Sequence, residues 1–175
     1  MKTRITRYIP GAMDYPVKAL LLAAAILLTG CASTEEDVPP EEQLYEQAKQ
    51  ALDSGNFNAA QNSLESLETY FPFGRYAEQA QLDLIYARYQ NLDLQGARSA
   101  ADRFLRLNPR SENADYAFYM RGLASFNMDQ SLASQYFPLA TEGRDPGEQR
   151  QALEDFQKLV NQYPDSIYAS DARQR

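Results

Sequence analysis

The feature that most constrains this chain is a nine-residue pattern that it writes three times. Pro72-Phe73-Gly74-Arg75-Tyr76-Ala77-Glu78-Gln79-Ala80 is followed by Pro109-Arg110-Ser111-Glu112-Asn113-Ala114-Asp115-Tyr116-Ala117 and by Pro164-Asp165-Ser166-Ile167-Tyr168-Ala169-Ser170-Asp171-Ala172. Proline stops one helix because it has no N–H to continue the ladder. A small residue two positions later turns or caps the chain, and alanines at the sixth and ninth positions open a helix that can pack closely. Three copies of one joint between helices predict an all-α solenoid of antiparallel helix pairs.

The segments between the joints carry helical periodicity. Pro40-Glu41-Glu42 suits a helix start, with acids at the positive end of the dipole. Leu44, Ala48, Ala51 and Leu52 then share one face, Ser54-Gly55-Asn56 breaks the helix, and Phe57, Ala60, Leu64, Leu67 and Phe71 form a second face that ends at Pro72. Leu44, Ala48, Gly55, Phe57, Ala60, Leu64 and Pro72 resemble the tetratricopeptide pattern in identity and spacing, from which Gln47 and Ala51 depart.

A second pair runs from about Tyr76 to Pro109. Its first helix is apolar nearly all round (Ala77, Ala80, Leu82, Leu84, Ile85, Tyr86, Tyr89), so it must be covered on most sides. Its partner offers Ala97, Ala100, Ala101, Phe104 and Leu105. The third pair is interrupted: Ala48 and Ala60 are 12 residues apart, whereas the matching Gly122 and Ala152 are 30 apart. The difference is an insert at about 125–147, after which Asp145-Pro146-Gly147-Glu148 restarts a helix. A fourth pair opens at Tyr168, so a repeat domain is expected over 41–175, reading as a fragment of a longer array.

Residues 1–30 have a different chemistry. Lys2, Arg4, Arg7 and Lys18 precede the apolar run Ala19–Leu28, too short to span a bilayer as a helix, which needs about 20 residues. This is the layout of a signal peptide. Leu28-Thr29-Gly30-Cys31 resembles the bacterial lipobox, which implies cleavage before Cys31 and lipidation of its thiol. Ala32 at the next position implies, by the same resemblance, delivery to the periplasmic face of the outer membrane. Residues 31–40 then read as a lipidated cysteine and a flexible tether.

Composition narrows the function classes. The chain has no histidine and a single cysteine, so the usual general base, the commonest zinc ligand and any internal disulfide are missing. Beyond residue 30 there are 13 basic and 23 acidic groups, a net charge of −10 that repels nucleic-acid phosphates. Adjacent carboxylates such as Glu41-Glu42 and Glu154-Asp155 point apart on a helix and make poor acid/base pairs. A binding scaffold without metal or cofactor is expected, not an enzyme.

Further stretches are more specific. Phe71-Pro72-Phe73-Gly74, Gln81-Leu82-Asp83-Leu84-Ile85-Tyr86-Ala87, Asp102-Arg103-Phe104-Leu105-Arg106-Leu107-Asn108-Pro109, Asp115-Tyr116, Tyr119-Met120-Arg121-Gly122-Leu123 and Arg144-Asp145-Pro146 together resemble the BamD (ComL-like) family of lipoproteins. The resemblance covers 41–175 in order. It departs at Phe71, where tyrosine is usual, and in the residues between Asn127 and Thr141. It implies five repeats in the whole array and a role as scaffold and substrate receptor in outer-membrane β-barrel assembly. The implied partners are a BamA-like barrel subunit, accessory lipoproteins, and the carboxy-terminal segments of unfolded barrel proteins. Another periplasmic repeat adaptor, serving peptidoglycan or pilus assembly, is the alternative.

First helices of such repeats line the concave groove, so exposed aromatics there are binding candidates. These are Phe71, Phe73, Tyr76, Tyr86 and Tyr89, with Arg75 and Arg88 as charge partners for a carboxylate end. Packing between helices would equally account for Tyr76 and Tyr86. Arg103, Arg106 and Arg110 form a basic stripe that reads better as a solvated face than as a site.

Overall fold

Each of the three joints closes with the same pair of backbone hydrogen bonds. In the first, Gly74 N–H donates to the Phe71 carbonyl (3.0 Å) and Ala77 N–H to the Gly74 carbonyl (3.2 Å). Ser111 to Asn108 (3.1 Å) and Ala114 to Ser111 (3.2 Å) repeat it, as do Ser166 to Tyr163 (3.1 Å) and Ala169 to Ser166 (3.0 Å). The computed structural model describes residues 38–129 and 147–175. Among these the elements are α1 (Glu41–Asp53), α2 (Phe57–Tyr70), α3 (Ala77–Gln90), α4 (Leu94–Leu107), α5 (Ala114–Asp129), α6 (Gly147–Gln162) and α7 (Ala169–Gln174). The proposed signal peptide, Cys31 and most of the tether lie outside the described residues. So does the span 130–146, which holds most of the predicted insert; α5 already takes in residues 125–129, and α6 begins at Gly147.

Successive helices pack as antiparallel neighbours, α1 on α2, α2 on α3 and onward to α6 on α7, as a tetratricopeptide solenoid requires. Two apolar clusters form the core. Leu44, Ala48, Ala60, Leu64, Leu67, Ala80, Leu84 and Ala87 make the first. Leu82, Ile85, Ala101, Phe104, Met120, Phe156 and Leu159 are central to the second. Helix α3 contributes to both, so it is a shared wall, which explains why its sequence is apolar nearly all round. At Gly122 the α5 backbone approaches α6 so closely that a Cβ would lie 2.7 Å from the Phe156 ring.

The joints are gripped from the preceding first helix. Glu41 Oε1, in the first turn of α1, accepts from Tyr76 N–H at 2.8 Å. At the second joint the Ser111 hydroxyl donates to Glu78 (2.6 Å) and accepts from Asn113 N–H (3.0 Å). At the third, Ser166 donates to Asp115 (2.6 Å) and accepts from Tyr168 N–H (3.2 Å). Serine thus relays the acid to the backbone, while at the first joint the acid reaches the backbone directly. Gly74 is required there for space and not for its dihedral freedom: a Cβ would lie 2.2 Å from Glu41 Oε1.

On the opposite edge, the α1–α2 and α3–α4 turns are equivalent. Gly55 and Leu92 both take the left-handed conformation (φ 73° and 61°), and Asn56 and Asp93 cap the helices that follow. Leucine in that conformation is strained by roughly 1–2 kcal/mol. The faces of the second helices are tied by ions: Arg103 pairs with Glu68, and Arg121 bridges Asp102 (2.8 Å) and Asp155 (2.5 and 2.9 Å), the latter carboxylate buried. Arg106 pairs with Asp102 on its own helix, so the basic stripe is largely neutralised.

Two outcomes follow for urea unfolding. Leu92→Gly should stabilise the fold by about 0.5–1 kcal/mol by releasing the strained dihedral. An unchanged or lower midpoint would show that Leu92 is unstrained. Gly74→Ala should cost about 1–2 kcal/mol as Glu41 is displaced from Tyr76 N–H. Gly74→Ser should cost less, because its hydroxyl can rebuild the relay of Ser111 and Ser166; equal costs would refute the relay.

Candidate peptide groove

The first helices present tyrosines in register. Tyr76, at the fifth position of the first joint, stacks on Tyr45 of α1, with ring centroids 4.3 Å apart and planes 13° apart. The third joint repeats this with Tyr168 on Tyr119 of α5, at 4.8 Å and 20°. Offset stacking of this kind adds about 0.5–1.5 kcal/mol beyond burial. Tyr116 leans on Tyr168 from the side, at 5.6 Å.

One ring of each stack has its hydroxyl beside a carboxylate. Tyr119 donates to Asp171 at 2.6 Å, and the Tyr45 hydroxyl lies in the field of Asp83. Burial first, and then the neighbouring acid, pushes both hydroxyls up to about 12. Burial also raises the Asp83 carboxyl, against the opposing effects of Gln79, Lys49 and Tyr45. Asp83 Oδ2 is buried without a hydrogen-bond partner.

Between α3, the second joint and the third joint lies a cavity of about 520 Å³, walled by Leu82, Asp83, Tyr86, Asp115, Tyr116 and Ile167 among others. Its walls offer flat apolar area, hydroxyls and carboxylates. Such a surface suits an extended peptide with aromatic or aliphatic side chains.

The predicted residues do not form one cluster. Tyr86 lines the cavity and touches Phe57 edge-on at 5.8 Å. Tyr76 belongs to the first stack, with the Arg75 guanidinium 4.9 Å from its ring centroid. Phe71 caps α2 and packs on the first core cluster. Phe73 stands alone at the joint, 98 % exposed. Tyr89 packs on the second core cluster, and its hydroxyl accepts from Asn127 at 2.5 Å. Arg88 points to α2 and the start of α4, donating to Glu65 (2.8 Å) and the Gly96 carbonyl (3.3 Å). Burial pushes the Glu65 carboxyl up, but the bonds from Arg88 and Gln61 outweigh it and leave it below its usual range. Arg88 is thus committed to holding helices together, and Arg75 is the arginine that stays with the aromatic face.

Sequence reasoning passed over Tyr45, Tyr116, Tyr119 and Tyr168. Aligning the chain on its joints would have found Tyr45, Tyr119 and Tyr168, because Tyr45 and Tyr119 occupy one repeat position and Tyr76 and Tyr168 another.

A carboxyl whose folded value lies above its unfolded one costs stability when both states are ionised. That cost vanishes as pH falls below the unfolded value. Asp83→Asn should therefore raise the urea midpoint more at pH 7 than at pH 4, relative to the unsubstituted chain at each pH. An equal gain at both would show that burial does not penalise the Asp83 charge.

Residues 33–175 match the sequence model of a family described as tetratricopeptide repeat. The chain is 44 % identical over 165 residues to the outer membrane protein assembly factor BamD of Vibrio cholerae, covering 93 % of this chain and 68 % of that protein. It is 43 % identical over 134 residues to the protein of the same name in Neisseria meningitidis serogroup B, covering 77 % and 50 %. With the one from Xylella fastidiosa strain 9a5c it shares 35 % identity over 161 residues, covering 90 % and 55 %. The chain thus spans between one half and about two thirds of the length of these relatives.

Proposed function

Because the chain belongs to the tetratricopeptide-repeat family of BamD outer membrane protein assembly factors, we propose that it is a non-enzymatic scaffold and substrate receptor for assembling outer-membrane β-barrels. The observation that carries the receptor role is the pair of in-register tyrosine stacks, Tyr45–Tyr76 and Tyr119–Tyr168, flanking a cavity beside Tyr86. Solenoids bind extended segments along such a face, and tyrosine gives area and a hydroxyl at low entropic cost.

The substrate proposed is the aromatic-ended carboxy-terminal segment of an unfolded barrel protein. Its apolar rings would lie along the tyrosines, and Arg75 beside Tyr76 is the cation within reach of a terminal carboxylate. The groove walls themselves carry Asp83, Glu112, Asp115 and Asp165, so a free carboxylate is disfavoured deeper in. Periplasmic domains of a BamA-like subunit and accessory lipoproteins are the proposed protein partners. Cys31 is the proposed acyl anchor, holding the domain at the periplasmic face of the outer membrane. Among the described residues no helix is long and apolar enough to cross a membrane, so attachment of this part needs an anchor or a partner.

Depleting the protein should lower the level of folded outer-membrane barrels; unchanged barrel levels would point to another periplasmic adaptor role. A photocrosslinking residue in place of Tyr76 or Tyr86 should trap a barrel protein's carboxy-terminal peptide. Crosslinks formed only from exposed positions on α2 and α4, such as Asn62 or Ser99, would move the site off the concave face.

A further inference from the structure

All three joints lie on one edge of the solenoid, because each second helix ends and each first helix begins there. That edge carries large exposed apolar side chains: Phe73 in the first joint (98 % exposed), Leu107 at the second (62 %) and Ile167 in the third (83 %). One such residue on a surface needs no explanation. Here two stand within joints and one ends α4, each without a cover in the fold, against Leu92 (80 % exposed) at the opposite edge.

The start of the repeat domain is fixed to the same edge. Glu41, at the first turn of α1, is bonded to Tyr76 N–H, and its carboxylate fills the space beside Gly74, the residue next to Phe73. The chain that leads to α1 therefore arrives beside Phe73. Cys31 precedes Val38 by only seven residues. Fully extended, that stretch reaches about 25 Å, and as a flexible coil it averages about 15 Å.

We infer that this joint edge rests on the lipid bilayer, with Phe73 inserted at the interface next to the anchor and Ile167 and Leu107 extending the contact. The inference depends on the acyl anchor at Cys31. An anchor this close makes insertion an intramolecular step, with an effective concentration on the order of millimolar for a short flexible linker. A wholly exposed phenylalanine then gains by leaving water. The charges around it are mixed, with Arg75 and Arg110 beside Glu78, Glu112 and Asp165, so apolar contact and not attraction to anionic lipid must hold the edge down. Docked in this way, the domain stands on its joints, and the edge that carries Leu92 faces away from the membrane.

The test places an environment-sensitive fluorescent residue at position 73, 167 or 92 of the lipidated chain. The protein is reconstituted in vesicles of phosphatidylethanolamine and phosphatidylglycerol at 3:1, with and without brominated acyl chains. Emission from position 73 should shift to the blue and be quenched at least threefold more than emission from position 92, with position 167 between them, at both 0.05 and 0.5 M salt. Equal quenching at 73 and 92 would overturn the inference. So would a blue shift at 73 that brominated lipid leaves unquenched and that grows with protein concentration, because a second copy would then be the cover. The mass of the Cys31 peptide decides the anchor separately. If that peptide carries no acyl chain, the anchor reading fails, and coupling the Cys31 thiol to a maleimide phospholipid lets the same quenching comparison judge the edge alone.

Discussion

Everything in this solenoid depends on a carboxylate reaching across one repeat to hold the turn that starts the next. Glu41, Glu78 and Asp115 each sit in the first turn of a first helix; Glu41 accepts directly from the N–H where the following first helix begins, and Glu78 and Asp115 hold the serine whose hydroxyl accepts it. Those N–H groups have no partner within their own helix, so the grip caps a helix and fixes the register between repeats at once. The proline ahead of each joint ends the incoming helix, and the buried alanines after it let the outgoing one pack close. Remove the acid and the joint keeps its turn but loses what aligns it to its neighbour.

Alignment along one edge is what lines up the tyrosines. Tyr76 and Tyr168 are joint residues, and Tyr45 and Tyr119 lie one turn inside the helices whose acids grip those joints. The same contact that builds the scaffold therefore spaces its aromatic face. The middle repeat has Leu82 and Asn113 at these positions and makes no such stack, which leaves room between the two stacks for the cavity beside Tyr86.

The joints, the helix pairs and the small-residue contacts were legible in the sequence because proline and alanine act locally and recur. Helix phase in α3 was not. With apolar residues all round, the period of α3 does not say which side meets α2 and which meets α5. Arg88 and Tyr89 were therefore read as groove residues, although one binds Glu65 and the other bonds Asn127. Gly74 was read as a turn residue, while its reason lies 33 positions earlier, in the carboxylate of Glu41. Contacts of that range show in a sequence only when the repeats are laid over one another.

The grips all fall on one edge, and the α1–α2 turn, the α3–α4 turn, the end of α5 and the start of α6 all fall on the other. One residue added or lost between a joint and the acid in the first turn of the helix it starts would move that acid by about 100° around the helix axis, away from the turn it must hold. The same change at the opposite edge leaves every grip in place. Length can drift on one side of this protein only, the side where α5 ends and α6 begins.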